Sequence, residues 1–369
     1  MGAAGIIFSD GKYGQIDELI RKRTEASIPF GSRYRLVDFA LSNMVNSGIT
    51  QVAIIAKRNY QSLMDHIGSG KDWDLSRRNG GVVIFPPFGN YKSGNIYGNQ
   101  IEALHGIIGF ISKCPEDNLI LTECDSVNTI DYADVLNQHE ETNADITLIY
   151  KNLEPNEIHE QYLMIETDEF GRVNKGYVIK DTEANSKVVI NAYIIKKKLL
   201  HNLLLEAASK GATSIEQEII INNIPSLRIF GYQYNGIFLP NNSMEQYFAN
   251  NMALLNEEVR KQALEVWPIF TKVRDSAPTK YGKNAVVKNS LIADGCIIEG
   301  TVENCILFRG VKIAKDTVVK NCILMQDTMV MENVKLNAVV TDKNVTIRSH
   351  QELSGCAKLP YYVAKNMMV

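Results

Sequence analysis

The C-terminal third of the chain carries three related hexads: Val287-Lys-Asn-Ser-Leu-Ile292, Val302-Glu-Asn-Cys-Ile-Leu307 and Val319-Lys-Asn-Cys-Ile-Leu324. Their first residues lie 15 and 17 positions apart, and a weaker copy, Val334-Lys-Leu-Asn-Ala-Val339, begins 15 positions after the third. This period is too short for a βαβ unit or a propeller blade. It suits one coil of a β-solenoid, in which the apolar side chains of each coil stack on those of the next.

The solenoid needs corners between its strands, and the sequence offers candidates for them. We expect corners at Asp294-Gly295, Arg309-Gly310 and Asn337. A small antiparallel β domain with accidental internal similarity remains the alternative. Helical patterns vanish after Pro278, which places a domain boundary near 265–280. We therefore predict an α/β domain over residues 1–265 and a solenoid domain, with its linker, over 266–369.

The N-terminal part alternates short apolar runs with helical patterns. Strands are predicted at 3–8, 51–56, 82–85, 118–121 and 145–150. Helices are predicted at 34–46, 97–112, 132–141 and 243–263. Alternation of this kind is typical of βαβ units that build a mainly parallel sheet.

Composition limits the class of protein. The chain has 369 residues, of which 45% are hydrophobic and 22% charged, with a net charge of −3. These values are ordinary for a globular protein of two or three domains and exclude a largely disordered chain. There is no global basic footprint for nucleic acid. No apolar run approaches the ~20 residues that span a bilayer, so we expect no membrane segment.

The six cysteines show no metal-binding spacing and no Cys-x-x-Cys pair. Several have apolar neighbours, as in Cys305-Ile-Leu and Cys322-Ile-Leu, which favours buried free thiols. The N-terminus has no basic region ahead of its apolar run, which argues against a signal peptide. We therefore expect a reducing compartment, most simply the cytoplasm.

A long stretch carries a family resemblance: Ile28-Pro-Phe-Gly-Ser-Arg-Tyr-Arg-Leu-Val-Asp-Phe-Ala-Leu-Ser-Asn-Met-Val-Asn-Ser-Gly-Ile49. It resembles the sugar nucleotidyltransferases, specifically the glucose-1-phosphate adenylyltransferases of bacterial glycogen synthesis. The resemblance implies a Rossmann-like nucleotidyltransferase (GT-A-like) domain with a mixed sheet. It also implies that the solenoid is a left-handed β-helix of hexapeptide repeats.

The family joins a sugar phosphate to a nucleoside triphosphate, which requires positioning and charge neutralisation. Its glycine-rich loop reads GGxGxR, and a Lys precedes the PFG stretch. Counted back without gaps, this chain reads Asp10-Gly-Lys-Tyr-Gly-Gln15, so that Gln15 replaces the Arg and Glu25 replaces the Lys. The remnant of the nucleotide loop is Asp10, Gly11, Lys12 and Gly14.

The sign of these replacements matters for catalysis. An anion 4 Å from a phosphate costs about 1 kcal/mol in water and ~4 kcal/mol at an effective dielectric constant of 20. Glu25 in place of Lys turns attraction into repulsion, and Asp10 adds a second negative charge. Losses of several kcal/mol correspond to many orders of magnitude in rate.

The resemblance also implies two carboxylates that hold Mg²⁺ on the triphosphate. The first is present as Asp125 in Cys124-Asp-Ser126, but Pro240 occupies the position of the second. Asn241 or Asn242 offers an uncharged carbonyl there. Asp125 is thus either a residual metal ligand or a residue at the end of a strand that caps the next turn.

Three basic residues are candidates for binding anions. Lys180, in Tyr177-Val-Ile-Lys-Asp181, resembles the Lys that contacts the sugar phosphate, and otherwise is a solvated lysine at a strand edge. Arg33 and Arg35 lie in the best-matched stretch, and Arg33 resembles a basic residue implicated in effector binding. The alternative for both arginines is a surface position beside a carboxylate.

These departures resemble the non-catalytic, GlgD-type subunits of the family. The resemblance then implies a regulatory chain that needs no cofactor itself and assembles, as a heterotetramer, with a catalytic subunit that uses Mg²⁺. A sugar-phosphate or nucleotide effector is implied, without nucleic acid or membrane. The alternatives are an active enzyme with atypical ligands and a nucleotide- or sugar-phosphate-sensing scaffold. A solenoid acyltransferase ranks last, because His350 is the only His after position 201.

Overall fold

The computed structural model describes residues 2–11, 16–87, 97–158, 161–179 and 184–369. Its helices are α1 (Asp17–Ile20), α2 (Leu36–Asn46), α3 (Gln61–Ile67), α4 (Gln100–Gly106), α5 (Ile108–Lys113), α6 (Tyr132–Glu141), α7 (Lys197–Lys210), α8 (Met244–Ala253) and α9 (Glu257–Leu264). Its first thirteen strands are β1 (Ala3–Phe8), β2 (Pro29–Phe30), β3 (Tyr34–Arg35), β4 (Gln51–Ile55), β5 (Gly81–Phe85), β6 (Asn118–Glu123), β7 (Ser126–Asn128), β8 (Ile146–Leu153), β9 (Tyr162–Thr167), β10 (Val173–Ile179), β11 (Ser186–Lys196), β12 (Ile229–Gln233) and β13 (Phe238–Pro240).

Fifteen short strands follow after residue 279. They are β14 (Lys280–Tyr281), β15 (Val286–Lys288), β16 (Leu291–Ile292), β17 (Ile297–Ile298), β18 (Thr301–Glu303), β19 (Ile306–Leu307), β20 (Lys312–Ile313), β21 (Val318–Lys320), β22 (Ile323–Leu324), β23 (Met329–Val330), β24 (Lys335–Asn337), β25 (Val339–Thr341), β26 (Thr346–Ile347), β27 (Glu352–Ser354) and β28 (Tyr361–Val363).

Two compact units divide the chain by spatial contact. The sheet unit comprises Met1–Tyr13, Ala40–Cys124 and Ile130–Gly236. The solenoid unit comprises Gly14–Phe39, Asp125–Thr129 and Ile237–Val369. This grouping does not test the sequence boundary between residues 265 and 266, which stays a prediction.

The sheet unit is built on a nine-stranded mixed sheet with the order β10-β9-β11-β6-β1-β4-β5, to which β8 adds through β11 and β12 through β8. Strands β1, β4, β5 and β6 are parallel, as the alternating pattern predicts. Antiparallel β11 lies between β6 and β8, so β8 runs in the same direction as β6. Strand β12 is parallel to β8, and β9 is antiparallel to β11, so seven of the nine strands share the direction of β1. Their carboxyl ends lie toward one edge, where ligands of open α/β sheets bind.

Two predicted helices are each divided in the structure. The segment 97–112 forms α4 and α5, which meet at Ile107. The segment 243–263 forms α8 and α9, because the Asn256 side chain accepts hydrogen bonds from the amides of Glu258 and Val259 and so starts a second helix. Such side-chain caps satisfy backbone donors at a helix N-terminus.

Three five-stranded parallel sheets form the solenoid, and each rung pairs in register with the next. Each hexad supplies the end of one strand, a corner and the start of the next strand: Val302 lies in β18, Asn304 at the corner and Ile306 in β19. Stacked valine, isoleucine, leucine and cysteine side chains fill the core, as the repeat predicts.

The predicted corners at Gly295 and Gly310 are confirmed, with φ of 76° and 75°, values that favour glycine. The third corner is displaced by one residue, because Asn337 ends β24 and Ala338 takes the left-handed conformation with φ of 51°. Sequence reasoning missed a further corner, formed by the Asn of each clear hexad. Asn304 and Asn321 have φ of 52° and 50° there.

These asparagines form a ladder along the solenoid. The Asn289 amide donates to Asn304 over 2.8 Å, Asn304 donates to Asn321 over 3.4 Å, and Asn321 donates to Asn337 over 2.9 Å. Asn289, Asn304 and Asn321 therefore each occupy the left-handed corner of one coil and donate a hydrogen bond to the next coil.

The expectation of buried free thiols is confirmed for five cysteines: Cys114, Cys124, Cys296, Cys305 and Cys322. Cys356 is a free thiol too, but it is exposed. Within the described ranges, no helix is long and apolar enough to cross a membrane.

Candidate functional site

Asp125 lies in the solenoid unit, immediately before β7, and is buried with 4% of its surface exposed. Strand β7 pairs antiparallel with β13, so that Pro240 stands opposite Ser126. The next amide, that of Asn241, donates to the Asp125 carbonyl oxygen over 2.7 Å. The two sequence positions compared with the family's metal carboxylates are thus neighbours, and one of them is a proline.

The residues beside Asp125 offer neutral oxygens. Asn241 and Asn242 are both buried, and the Oδ1 atom of each makes no hydrogen bond within the described part of the chain. Asn241 Nδ2 donates to the Leu239 carbonyl oxygen over 2.9 Å, which fixes the orientation of that amide. Pro240 offers no side-chain ligand, and its carbonyl oxygen accepts a bond from Asn250 over 2.5 Å.

This donor set does not fit the Mg²⁺ arrangement that the resemblance implies. Mg²⁺ prefers charged oxygen ligands in a near-octahedral shell, with carboxylates and substrate phosphates supplying the charge. Here one carboxylate, Asp125, stands beside two neutral amides. Across the described ranges, no group of three or more His, Cys, Asp or Glu side chains is placed to hold a metal ion.

The nucleotide-loop remnant begins directly after β1, at the ligand edge of the sheet unit. Asp10 accepts a 2.9 Å hydrogen bond from the Ser9 hydroxyl, and Gly11 is half-buried. Lys12, Gly14 and Gln15 lie outside the described residues, as does Lys180, the candidate for the sugar phosphate.

Sequence reasoning missed a second carboxylate at this edge. Glu123 is the last residue of β6, pairs in register with Phe8 of β1, and is buried with 7% exposed. Gln100, the first residue of α4, donates to Glu123 Oε1 over 2.6 Å. The signal was a Glu at the end of an apolar strand. Glu123 and Asp10 thus place two carboxylates at this edge of the sheet unit.

Glu25 is fully buried in the solenoid unit, within a single helical turn over Glu25–Ser27. The flanking Thr24 and Ser27 hydroxyls lie 3.0 Å apart and close that turn. The side chain that replaces the family's Lys is therefore enclosed by protein.

A basic cluster of four side chains lies elsewhere in the solenoid unit: Arg23, Arg35, Lys343 and Lys365. Burial lowers the pKa of Lys343 well below its usual value, and the charges of the other three members lower it further. Asp342 opposes that shift. Lys343 and Lys365 were not singled out from the sequence, because their approach to Arg23 and Arg35 depends on the packing of distant segments.

Arg23 is paired within this cluster. Its Nη2 atom lies 2.6 and 2.8 Å from the two carboxylate oxygens of Asp342, and both side chains are almost fully buried. Its Nη1 atom is buried and makes no hydrogen bond to any described residue.

The structure separates the two predicted effector residues. Arg35 is half-buried in strand β3, and its positive charge lowers the pKa of Lys343 in the basic cluster. Arg33 is exposed, with its guanidinium carbon 5.9 Å from the centre of the Tyr34 ring. Burial raises the pKa of Tyr34, and the Arg33 charge opposes that rise.

Comparison with known proteins matches both parts of the chain. The family described as Nucleotidyl transferase matches residues 4–222, and the family described as GlmU-like, C-terminal hexapeptide matches residues 275–355. With the three parallel sheets, the second match makes the solenoid a left-handed β-helix.

Relatives match over most of their length. The chain is 34% identical to the glycogen biosynthesis protein GlgD of Bacillus subtilis (strain 168), over 99% of this chain and 96% of that protein. It is 36% identical to the GlgD protein of Geobacillus stearothermophilus, over 85% and 82%. It is 30% identical to a glucose-1-phosphate adenylyltransferase of Mycoplasma mobile, over 86% and 84%. The chain therefore belongs to the nucleotidyl transferase family, in the group formed by the glucose-1-phosphate adenylyltransferases and their GlgD relatives.

Proposed function

We propose that this chain is a regulatory subunit of a glucose-1-phosphate adenylyltransferase in bacterial glycogen biosynthesis. The reaction of that enzyme converts ATP and glucose 1-phosphate to ADP-glucose and diphosphate. In this proposal the chain has little or no activity alone, and a catalytic subunit supplies the Mg²⁺ site. The names of its relatives support the pathway, since they include both GlgD proteins and adenylyltransferases.

One observation supports the proposed loss of activity. Pro240 pairs with Ser126, next to Asp125, and so a residue without a carboxylate faces this part of β7. A metal ion contributes several kcal/mol to phosphoryl-type transition states, and each 1.36 kcal/mol lost lowers the rate about tenfold. The negative charges of Asp10 and Glu123 at the sheet edge act in the same direction, because the substrate is a polyanion.

We further propose that the basic cluster binds a small phosphorylated effector. Phosphate oxygens are recognised by charge-assisted bonds from Arg and Lys. Burial is the main cause of the lowered pKa of Lys343, and the positive charges of Arg35, Arg23 and Lys365 lower it further. A bound anion would offset those positive charges. This observation also favours the reading of the chain as a sensor of sugar phosphates or nucleotides.

The test is ADP-glucose formation from ATP, glucose 1-phosphate and Mg²⁺ with three preparations: this chain alone, a catalytic partner alone, and the co-purified pair. We expect no turnover from the chain alone and a changed kcat, KM or effector response in the pair. Turnover of the chain alone at a rate comparable to the partner would make it an active enzyme with atypical ligands. If the pair is stable but its kinetics equal those of the catalytic partner alone, this chain acts only as a scaffold.

A further inference from the structure

The carboxylate of Asp342 contacts the guanidinium of Arg23, one member of the basic cluster. Both of its oxygens also contact other groups. Asp342 Oδ1 accepts a 2.6 Å hydrogen bond from the backbone amide of Lys343, and Asp342 Oδ2 lies 3.2 Å from the Tyr362 hydroxyl. The Tyr362 hydroxyl also lies 3.0 Å from the Glu18 carbonyl oxygen. The side chain is therefore fixed by three neighbours rather than free to leave.

The contact joins two distant parts of one unit. Arg23 follows α1, whereas Asp342 follows β25 of the solenoid, 319 positions later. The Asp342 amide donates a 2.9 Å hydrogen bond to the Val363 carbonyl oxygen. This bond ties Asp342 to β28, the last strand of its sheet. The backbone thus holds the carboxylate in place beside the arginine.

The described charges around Lys343 are mostly positive. The groups that shift its pKa in the described part of the chain include the cations Arg35, Arg23 and Lys365 and the carboxylate Asp342. Arg23 uses one amino group for Asp342, while Nη1 remains buried without a hydrogen bond to the described residues. The Asp342 carboxylate carries one negative charge and two oxygens. A phosphate carries about two charges and more oxygens, so it could accept more hydrogen bonds from the Arg23 guanidinium.

We propose that Asp342 is a built-in carboxylate ligand of the basic cluster, which competes with the phosphorylated effector for Arg23 and so weakens effector binding. The inference rests on the proposed effector function, because it concerns the regulation of that same site. Breaking a buried ion pair by removing one partner leaves the other charge uncompensated. An external anion should then replace the lost carboxylate.

Sulfate is a suitable probe, because it is a compact dianion across the neutral pH range. The experiment measures the melting temperature and the sulfate dissociation constant of wild type and of Asp342→Asn, with chloride at matched ionic strength as reference. We expect Asp342→Asn to melt lower in chloride, to regain stability in sulfate by a larger shift than wild type, and to bind sulfate about tenfold tighter.

The chain offers a matched control. Arg309 and Asp294 form another ion pair of the solenoid unit, with Nε and Oδ1 3.1 Å apart and the arginine almost fully buried. Asp294→Asn removes the same chemical group outside the basic cluster. It should lower the melting temperature without a sulfate-specific recovery.

The outcomes separate the two proposals. Equal sulfate affinity of wild type and Asp342→Asn would overturn the competition by Asp342 and leave an effector site standing. Absence of sulfate binding from both would overturn the effector site as well. If Asp342→Asn does not fold in chloride, its refolding yield in sulfate against chloride provides the readout, and equal yields would overturn the inference.

Discussion

The Asn241 amide donates a 2.7 Å hydrogen bond to the carbonyl oxygen of Asp125. Asn241 directly follows Pro240, so this backbone bond joins the two positions compared with the family's metal carboxylates. The backbone therefore brings the two compared positions together, and a carboxylate stands at one of them only. Pro240 ends β13 at this point, and its ring fixes the local backbone without offering a ligand.

Replacement of Asp125 tests whether the remaining carboxylate is catalytic. Asp125→Asn in this chain should change the turnover of the assembled pair by less than about twofold. The matching change in the catalytic partner should lower turnover about a hundredfold or more, because the metal ion contributes several kcal/mol. Steady-state ADP-glucose formation measures both. A large loss caused by the change in this chain would assign Asp125 to catalysis.

A buried histidine should make stability depend on pH. His139 is 1% exposed, its Nδ1 lies 2.7 Å from the Thr147 hydroxyl, and burial lowers its pKa to about 4. The unfolded value is near 6.5, so the folded state favours the neutral ring. This stabilisation is complete above pH 6.5 and is lost as pH falls toward 4, with about 3 kcal/mol as the upper limit.

Urea unfolding at pH 7.5 and pH 5 measures this loss. His139→Gln should flatten the pH dependence of the free energy of unfolding over that interval. His105→Gln serves as the control, because His105 is an exposed residue of α4 and should leave the dependence unchanged. Identical pH profiles for wild type and His139→Gln would refute the assignment.

Burial should also decide which thiols react. Burial raises the pKa of Cys114 and Cys296, and it raises that of Cys322 well above its usual value. Because the thiolate is the nucleophile, a disulfide reagent should label only Cys356 rapidly in the native protein. Cys356→Ser should remove the fast phase, whereas rapid labelling of Cys296 or Cys322 would contradict the packing of the solenoid core.

The solenoid could be predicted from the sequence because its order is local. Each hexad places apolar side chains at fixed spacing, and stacking of coils requires that spacing. Division of the helix at 243–263 could not be read from apolar periodicity, since it depends on a cap at Asn256. The capping residue was visible, but asparagine also occurs within helices, so the residue type alone did not decide.

The candidate site was only partly predictable. Asp125 and Pro240 were named from the resemblance to the family, by counting from stretches that match it. The pairing of Arg23 with Asp342 has no sequence signal, because the residues are 319 positions apart and neither belongs to a motif. They come together because the segment after α1 packs against the β-helix within the solenoid unit.

The asparagine ladder predicts an unusual order of stability among variants. Asn321 has φ of 50° and takes part in two ladder hydrogen bonds. Asn321→Gly keeps the left-handed backbone and loses about 0.5–1.5 kcal/mol per bond, at the low end for an exposed amide. Asn321→Ala adds about 1–2 kcal/mol of backbone strain. Unfolding by urea should therefore rank glycine above alanine, whereas the reverse order would mean that the corner relaxes.

The two arginines singled out from the sequence should differ in function. Arg35 belongs to the basic cluster, whereas Arg33 is exposed beside Tyr34. Arg35→Ala should weaken sulfate binding about tenfold, which corresponds to one charge-assisted contact, and Arg33→Ala should leave it unchanged. Sulfate titration followed by melting temperature measures both variants. Loss of binding in Arg33→Ala with none in Arg35→Ala would move the effector site to the face of Tyr34, and the competition attributed to Asp342 would fall with it.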